Sequence, residues 1–398
     1  MNNQKPTTLQ AVQSALQHYQ YSYDSRRGWI LTGNTLPHSD LYTIIATKIT
    51  NYLESIQSPT LPSQQKIISQ LELLQGQIQD KYADECWDNI KFNPAAIDTS
   101  ESMMRLISGN NYNPIYPAIL RQLLYSIKSK MIGKAVASPI FPIFYGRAGT
   151  GKSRFIRAFA KPIPEHKYAF IQAGDKLVNS ESHTAMLHDN YLIHLDEMSG
   201  LNKADIGKLK TLDAPTISYR PLYTNTTKRA FNCSTLIGAT NTSVKNILIS
   251  TDDNRKWVQL NFYEPPIDNT EVFIRGIIDD IESFDYINLW QSVNEDGLEP
   301  FSDPSTYTLY KQYVREVCNS TTPTTNFIDE YLVAHADTWI SKKDLYKTFK
   351  EEVDTKLNPM REDLFFETCE KRGFVFHRKP GVGTYGYDVP AIKKEEEF

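Results

Sequence analysis

Hydrophobic and polar positions follow different periods along the chain, and the changes of period divide it into regions. Residues 41–56, 64–80 and about 115–135 carry apolar side chains at helical spacing. Between 140 and 263, short apolar runs alternate with helical segments, which is typical of a parallel α/β sheet. Residues 264–320 are again mostly helical in pattern. The pattern therefore predicts an α/β core between two helical regions.

The C-terminal part begins after a Thr- and Pro-rich stretch at 321–325, which predicts a linker. Three helical patterns follow it, at 327–335, 342–353 and 360–372. Two β-prone arms come next, at 374–378 and 384–389, around a Gly-rich turn. Ser341, with Asp344 three residues later, is typical of a helix N-cap. Three helices followed by a two-stranded wing predict a winged-helix domain.

Length, charge and cysteine content narrow the classes of protein. A chain of 398 residues is long enough for two or three domains. Its net charge of −4 gives no global basic field, so any nucleic-acid surface must be local. The four cysteines are far apart and form no C-x-x-C pair, so neither a zinc site nor a disulfide framework is indicated. The polar N-terminus lacks a signal-peptide core and no apolar run approaches a membrane span, so we expect a cytoplasmic protein without a membrane partner.

Residues 146–153 read Gly-Arg-Ala-Gly-Thr-Gly-Lys-Ser, the complete G-x-x-x-x-G-K-[ST] motif, between a strand-like run and a helical one. The glycines let backbone N–H groups turn inward around a polyphosphate, and the helix N-terminus adds positive charge there. Lys152 is placed to reach the β- and γ-phosphates, and Ser153 to bind Mg²⁺. The loop predicts ATP or GTP binding through Gly146, Ala148, Gly149, Thr150, Gly151, Lys152 and Ser153.

Two later apolar runs end in polar side chains that suit phosphoryl transfer. Residues 191–195 lead into Asp196 and Glu197. Asp196 is predicted to hold the nucleotide's Mg²⁺ and Glu197 to polarise the attacking water. The run at 234–240 ends at Asn241, which can orient that water between Glu197 and the γ-phosphate.

Basic residues on two β-prone arms are the first candidates for a DNA contact. Arg220 lies on the first arm, and Lys228 and Arg229 lie on the second, around a polar turn. The arms predict a hairpin. Two interpretations stay open, a solvated surface hairpin and a hairpin that projects into a central pore and grips phosphates.

Three further basic residues have competing interpretations. Arg255 lies in a predicted exposed turn and can reach a nucleotide held by a neighbouring subunit, or it can pair with Asp252 or Asp253. Arg378 and Lys379 lie at the predicted wing, which favours a phosphate contact. The acidic side chains on the third helix favour the alternative, a winged helix that docks on protein.

The order of these segments resembles the superfamily 3 helicases, most closely the virulence-associated protein E group and the poxvirus-type primase-helicases of phages, plasmids and mobile islands. The segments that carry the resemblance are the glycine loop, Leu-Asp-Glu, Leu-Lys, Tyr-Arg-Pro-Leu-Tyr, Ala-Thr-Asn and Asn-Arg-Lys-Trp. The resemblance covers about residues 110–265, and the C-terminal unit more loosely. It implies an AAA+-like ATPase core that uses ATP and Mg²⁺ and assembles into a hexameric ring.

The family's roles transfer to matching positions of this chain. Lys152 with Ser153 matches the phosphate-loop pair, Asp196 with Glu197 the acidic pair, and Asn241 the sensor asparagine. Arg255 matches the first residue of the family's Arg-Arg-aromatic segment, which implies a trans-acting arginine finger. Here Lys256 takes the second position and Trp257 the aromatic one. Lys228 and Arg229 match a DNA-touching hairpin by position rather than by motif.

The combined prediction is an α/β protein with an AAA+-like P-loop ATPase built on a parallel sheet. Its predicted parts are a mostly helical region of unknown role at 1–110, the helicase core at 111–265, a helical lid and linker at 266–322, and a winged-helix domain with a short charged tail at 323–398. We expect an ATP hydrolase that acts as a DNA helicase or replication initiator on single-stranded or forked DNA. The first alternative is a defence or signalling switch that remodels a protein. The second, an origin-binding protein with a degenerate ATPase, is disfavoured because the ATPase residues are present.

Overall fold

A computed structural model of the chain divides it into two compact units, Met1–Ile247 with Asp253–Cys318, and Leu248–Asp252 with Asn319–Phe398. The residues described are 5–24, 28–31, 34–35, 41–172, 185–198, 209, 212, 214–219, 227–247, 256–265, 270–318, 327–328, 331, 334–335, 338–352, 362–371, 374–378 and 383–389. In that part of the chain, no helix has both the length and the apolar character that crossing a membrane requires.

The described part of the first unit contains both helices and strands. Its helices are α1 (Thr8–His18), α2 (Leu41–Ser55), α3 (Gln64–Ile90), α4 (Ser100–Ser108), α5 (Tyr116–Met131), α6 (Lys152–Phe159), α7 (Met186–Asp189), α8 (Val244–Ile247), α9 (Thr270–Ser283), α10 (Tyr286–Gln291) and α11 (Pro304–Val317). Its strands are β1 (Tyr21–Asp24), β2 (Gly28–Leu31), β3 (Asn34–Thr35), β4 (Phe141–Tyr145), β5 (Tyr168–Ile171), β6 (Leu192–Asp196), β7 (Thr216–Tyr219), β8 (Lys228–Phe231), β9 (Thr235–Thr240) and β10 (Trp257–Asn261).

The N-terminal part of this unit packs α1, α2 and α3 around buried apolar side chains, including Val12, Ile45 and Leu71. Thr7 and Gln10 form a capping box that starts α1. The predicted helices at 41–56 and 64–80 are confirmed, although α3 continues to Ile90. The prediction of a mostly helical region missed the antiparallel sheet β1-β2-β3. These strands are too short to show a period of two in the sequence.

The predicted parallel sheet is confirmed, with five strands in the order β10-β4-β9-β6-β5. Each neighbouring pair runs parallel. The first four residues of β4, β6 and β10 are buried, which explains why these strands read as continuous apolar runs rather than as alternating ones. Strand β9 lies between β4 and β6, so the chain segments that follow these three strands meet at one edge of the sheet.

Helix α10 and the residues after it are tied to helices α5 and α6 through buried side chains. Lys128 on α5 contacts Glu295 Oε2 at 2.7 Å, and both side chains are almost fully buried. Burial lowers the pKa of Lys128, and Glu295 opposes that shift. Trp290 on α10 donates from Nε1 to the carbonyl oxygen of Phe159 at 3.0 Å. Because an unpaired buried charge is costly, this cluster holds α10 against the helix that follows the glycine loop.

The second unit contains β11 (Trp339–Ser341), α12 (Lys342–Glu352), α13 (Glu362–Lys371), β12 (Val375–Arg378) and β13 (Tyr385–Asp388). The strands form an antiparallel sheet in the order β11-β13-β12. Phe327, Phe349 and Phe365 belong to its buried core. The predicted cap is confirmed, because Ser341 Oγ accepts the Asp344 N–H at 3.1 Å. The winged-helix interpretation and the predicted domain boundaries stay predictions.

Candidate nucleotide-binding site

The glycine loop joins β4 to α6 and is held by contacts on both sides. Gly149 and Gly151 have φ values of 80° and 96°, which favour glycine. The Thr150 hydroxyl donates to the carbonyl oxygen of Arg147 at 2.9 Å, and Tyr263 Oη donates to that of Thr150 at 2.7 Å. Gly151 is the N-cap of α6. The first N–H groups of α6 have no partner within the helix, so the loop presents donors and partial positive charge to an anion.

Lys152 lies inside this loop and is only 7% exposed. Its Nζ donates to the carbonyl oxygens of Gly146 at 2.8 Å and Arg147 at 2.7 Å, and to Asn241 Oδ1 at 2.8 Å. Burial lowers the pKa of Lys152, and the charges of Glu197 and Asp196 oppose that shift. A lysine ammonium has three donors, and all three have acceptors in this arrangement. Phosphate oxygens would compete with these acceptors for the same donors.

The two predicted acids have different surroundings. The Ser153 hydroxyl donates to Asp196 Oδ1 at 2.7 Å, which joins α6 to the end of β6. Glu197 has a φ of 55°, a left-handed conformation that is uncommon outside glycine. The next residue, Met198, is buried against β9, where a Cβ on Gly238 would lie 2.5 Å from Met198 Sδ. Close packing thus holds the strained turn that places Glu197 in the cleft, and strain of this kind points to function.

Asn241 connects the lysine to the second acid. Its Nδ2 donates to Glu197 Oε2 at 3.1 Å, while its Oδ1 accepts from Lys152 Nζ. This contact depends on strand order, because Asn241 follows β9, the strand between those that lead to Lys152 and Glu197. Lys152, Asn241 and Glu197 therefore form one continuous hydrogen-bonded series.

These side chains line a cavity of about 460 Å³ together with Ile278 of α9. Ile278 Cγ1 lies 3.3 Å from where a Cβ on Gly151 would be, so α9 forms a wall directly over the loop. The cavity volume falls in the usual range for small-molecule sites, roughly 300–1,000 Å³. Ile278 was not predicted, because the contact joins residues far apart in sequence and an apolar residue on a helix carries no distinguishing signal.

The oxygen donors beside the cavity fit Mg²⁺ better than they fit a softer metal. Ser153 and Asp196 supply hydroxyl and carboxylate oxygens. Among the described residues, no group of three or more His, Cys, Asp or Glu side chains is arranged to hold a metal by itself. Mg²⁺ usually binds one or two protein oxygens together with substrate phosphates and water, so this small donor set suits a nucleotide-bound cation.

The predicted hairpin arms pair as antiparallel strands β7 and β8, with Tyr219 opposite Lys228 and Ser218 opposite Arg229. Lys228 and Arg229 are exposed. The buried Asn232 anchors the base of the hairpin, because its Nδ2 donates to the carbonyl oxygens of Leu212 at 2.6 Å and Ala214 at 3.0 Å. Arg220 lies outside the described residues.

The remaining basic candidates are only partly described. Arg255 and Lys379 lie outside the described residues, as do the acids offered as alternative partners of Arg255. Arg378 is an exposed residue of β12, with its guanidinium 5.9 Å from the ring centroid of Tyr385. The trans-acting finger and the wing contact therefore stay predictions.

Comparison with known proteins gives one family match. Residues 91–282 match the virulence-associated protein E-like domain. The apo structure of the NrS-1 C terminal region is 13% identical, covers 76% of this chain and 77% of that chain, and has a TM-score of 0.48. The JCV Helicase structure is 11% identical, covers 82% of this chain and 98% of that chain, and has a TM-score of 0.35. No curated protein matches.

Proposed function

We propose an activity for the chain from the match of residues 91–282 to the virulence-associated protein E-like domain, the group that the sequence resembles most closely. At the family level the domain is helicase-like, of the kind used in the replication of phages and mobile elements. We propose that the chain hydrolyses ATP and that a ring of identical subunits uses the energy to translocate on single-stranded DNA. The observation that carries this proposal is the series Lys152–Asn241–Glu197 beside the pair Ser153–Asp196.

In the proposed reaction, the glycine loop and Lys152 bind the phosphates. The donors of Lys152 move from the carbonyl oxygens of Gly146 and Arg147 to phosphate oxygens. Ser153 and Asp196 would hold Mg²⁺, which when bound neutralises charge that develops on the phosphates. Ile278 lies over Gly151 of the loop and forms one wall of the cavity.

Glu197 is proposed to orient the attacking water and to accept its proton. Asn241 holds the Glu197 carboxylate through Nδ2 and shares Oδ1 with Lys152. When Lys152 turns toward a phosphate, Asn241 Oδ1 loses this donor and becomes available to the attacking water. Phosphate binding and the position of Glu197 are thus coupled through one amide.

The exposed Lys228 and Arg229 are proposed to contact the DNA backbone. Two charges on one hairpin bind a strand weakly, but a ring of subunits, proposed to be a hexamer, presents several copies to the same strand. Arg255 is proposed to act on the nucleotide of the neighbouring subunit. Arg220, Arg378 and Lys379 are proposed as further DNA contacts.

The second candidate function is an ATP-dependent switch that remodels a protein. It is favoured by a set of exposed apolar side chains in the second unit, Val375, Phe376 and Tyr385. Exposed apolar clusters of this kind occur at protein interfaces.

Stimulation of hydrolysis by DNA separates the two functions. ATP turnover would be measured with and without a single-stranded oligonucleotide, with Glu197→Gln as the inactive control. We expect the oligonucleotide to increase wild-type turnover. Turnover that is robust but indifferent to DNA would contradict the helicase and favour the switch. An absence of nucleotide binding would contradict both functions.

A further inference from the structure

A buried histidine lies directly beside the first acid of the site. His194 precedes Asp196 by two residues in β6, so both side chains lie on the same face of the strand. His194 is fully buried, and its Nδ1 lies 2.8 Å from the hydroxyl of Tyr168 on the neighbouring strand β5. Its Nε2 has no hydrogen-bond partner among the described residues and lies 3.8 Å from Asp196 Oδ1. A buried polar atom without a partner is costly, so its position next to Asp196 calls for an explanation.

The surroundings of Tyr168 determine which nitrogen of His194 carries the proton. Burial raises the pKa of Tyr168 to about 12, and the charge and hydrogen bond of Arg157 oppose that rise. A guanidinium can only donate, so the Tyr168 oxygen accepts from Arg157 and its own O–H is available to His194 Nδ1. Because His194 Nδ1 accepts this hydrogen bond, the imidazole proton is on Nε2, which faces Asp196.

Helix α6 joins these contacts into one continuous network. We call this network the circuit; its members are Ser153, Arg157, Tyr168, His194 and Asp196. Ser153 and Arg157 are four residues apart and share one face of the helix. Ser153 donates to Asp196 Oδ1, the same oxygen that His194 Nε2 approaches. Arg157 lies 4.8 Å from the ring centroid of Phe170, whose ring meets His194 edge-on at a centroid distance of 5.1 Å. The circuit therefore joins the helix after the glycine loop to both strands and ends on a single carboxylate oxygen.

We propose that His194 is a positioning residue that holds the Asp196 carboxylate for the nucleotide's cation, an inference that rests on the proposed ATPase function. At present the Ser153 hydroxyl supplies a hydrogen bond to Asp196 Oδ1. If Ser153 Oγ offers a lone pair to a cation, its hydroxyl proton can still point to Asp196 Oδ1. The Nε2–H of His194 is then a second donor beside the same carboxylate oxygen. Tyr168 positions His194 in turn, because its hydroxyl determines the tautomer.

Magnesium dependence of nucleotide binding tests the proposal without requiring hydrolysis. The affinity for a fluorescent ATP analogue would be measured in EDTA and across a Mg²⁺ titration. For His194→Phe, which removes the donor but keeps a buried ring, we expect the half-saturating Mg²⁺ concentration to rise by about 10–100-fold. The affinity in EDTA should stay within about twofold, because the glycine loop and Lys152 do not depend on that donor.

Two conservative variants separate positioning from folding. Tyr168→Phe removes one oxygen and should shift the Mg²⁺ requirement in the same direction by a smaller factor. His194→Gln keeps an N–H donor and should recover part of the loss. Tyr191→Phe, a matched tyrosine change at a half-buried position outside the circuit, should leave the Mg²⁺ requirement unchanged. Thermal unfolding of each variant would show whether it folds.

The possible failures can be told apart. A folded His194→Phe with the wild-type Mg²⁺ requirement overturns the positioning role alone. An equal loss of nucleotide affinity in EDTA and in Mg²⁺ would also overturn the positioning role, since that result indicates general damage to the site. If the wild-type protein itself binds no nucleotide, the proposed function fails first and the positioning role fails with it.

Discussion

The carboxyl edge of the central sheet and the β7–β8 hairpin carry the two halves of the proposed activity, and they are built differently. At the sheet edge, Lys152 is almost fully buried and its three donors reach acceptors on the loop and on Asn241. On the hairpin, Lys228 and Arg229 are exposed on β8, which pairs with β7. The fold places the nucleotide side chains within one subunit, whereas the hairpin charges depend on DNA and on neighbouring subunits for their effect.

This difference indicates how each region should respond to amino-acid substitution and to ionic strength. Buried, hydrogen-bonded charges interact strongly because water does not screen them, so single substitutions at the sheet edge should have large effects. Exposed charges are screened by salt, so the hairpin should respond weakly to single changes and strongly to ionic strength.

The sheet edge would resemble the hairpin more closely if the nucleotide site also needed a residue from a second subunit. We expect Arg255→Ala to lower ATP turnover by about 10³–10⁵-fold, the range of arginine fingers supplied in trans. Mixing Arg255→Ala with Lys152→Ala should restore part of the turnover, because each mutant supplies what the other lacks at a mixed interface. Mixed assemblies would be verified by differential tagging. Verified mixed rings without any recovery would contradict a finger acting in trans.

Glu197→Gln should separate binding from chemistry at the sheet edge. We expect turnover to fall by about 10²–10⁴-fold, the range for a general base, while ATP affinity changes little. The reason is that Glu197 acts on the attacking water and not on ground-state phosphates. Single-turnover hydrolysis and equilibrium binding would be measured together. Glu72→Gln, an exposed position on α3, is the matched control, and near-normal turnover in Glu197→Gln would remove its proposed role.

Lys152→Ala should weaken nucleotide binding itself. A hydrogen bond to a charged group contributes about 1.5–3 kcal/mol, so we expect a loss of about 10–100-fold in affinity. Titration with a fluorescent nucleotide would measure this loss. The control is Lys161→Ala, an exposed lysine just beyond α6. Equal affinities for the two variants would show that the buried lysine does not contact the phosphates.

The smallest effect is expected at the hairpin. Lys228→Ala with Arg229→Ala should weaken single-stranded DNA binding and reduce the logarithmic salt slope by about 0.7 for each phosphate that the hairpin no longer neutralises. Basal ATP turnover should stay near the wild-type value. Lys66→Ala with Lys81→Ala, two exposed lysines on α3, is the matched control for net charge. If the hairpin variant unwinds a forked duplex at the wild-type rate, the hairpin is not the translocating element.

The sequence by itself was sufficient for the local features of this protein. The glycine loop, the acid pair and Asn241 each follow an apolar run, so strand, turn and candidate side chain could be inferred from neighbouring residues. The same holds for the parallel sheet and for the Ser341 cap, because strand patterning and capping depend on residues close in sequence. The strands β1 to β3 were not predicted, because the hydrophobic positions of such short segments show no clear period.

Tertiary structure alone decided how these features meet. Only the strand order places Asn241 between Lys152 and Glu197, and only packing of Met198 over Gly238 explains the left-handed Glu197. His194 appeared in the sequence merely as one polar residue in an apolar run, although a histidine inside a buried strand is a signal that could have been followed. Its role depends on Tyr168, a contact across two strands. Such contacts join residues that are distant along the chain, so no local pattern encodes them.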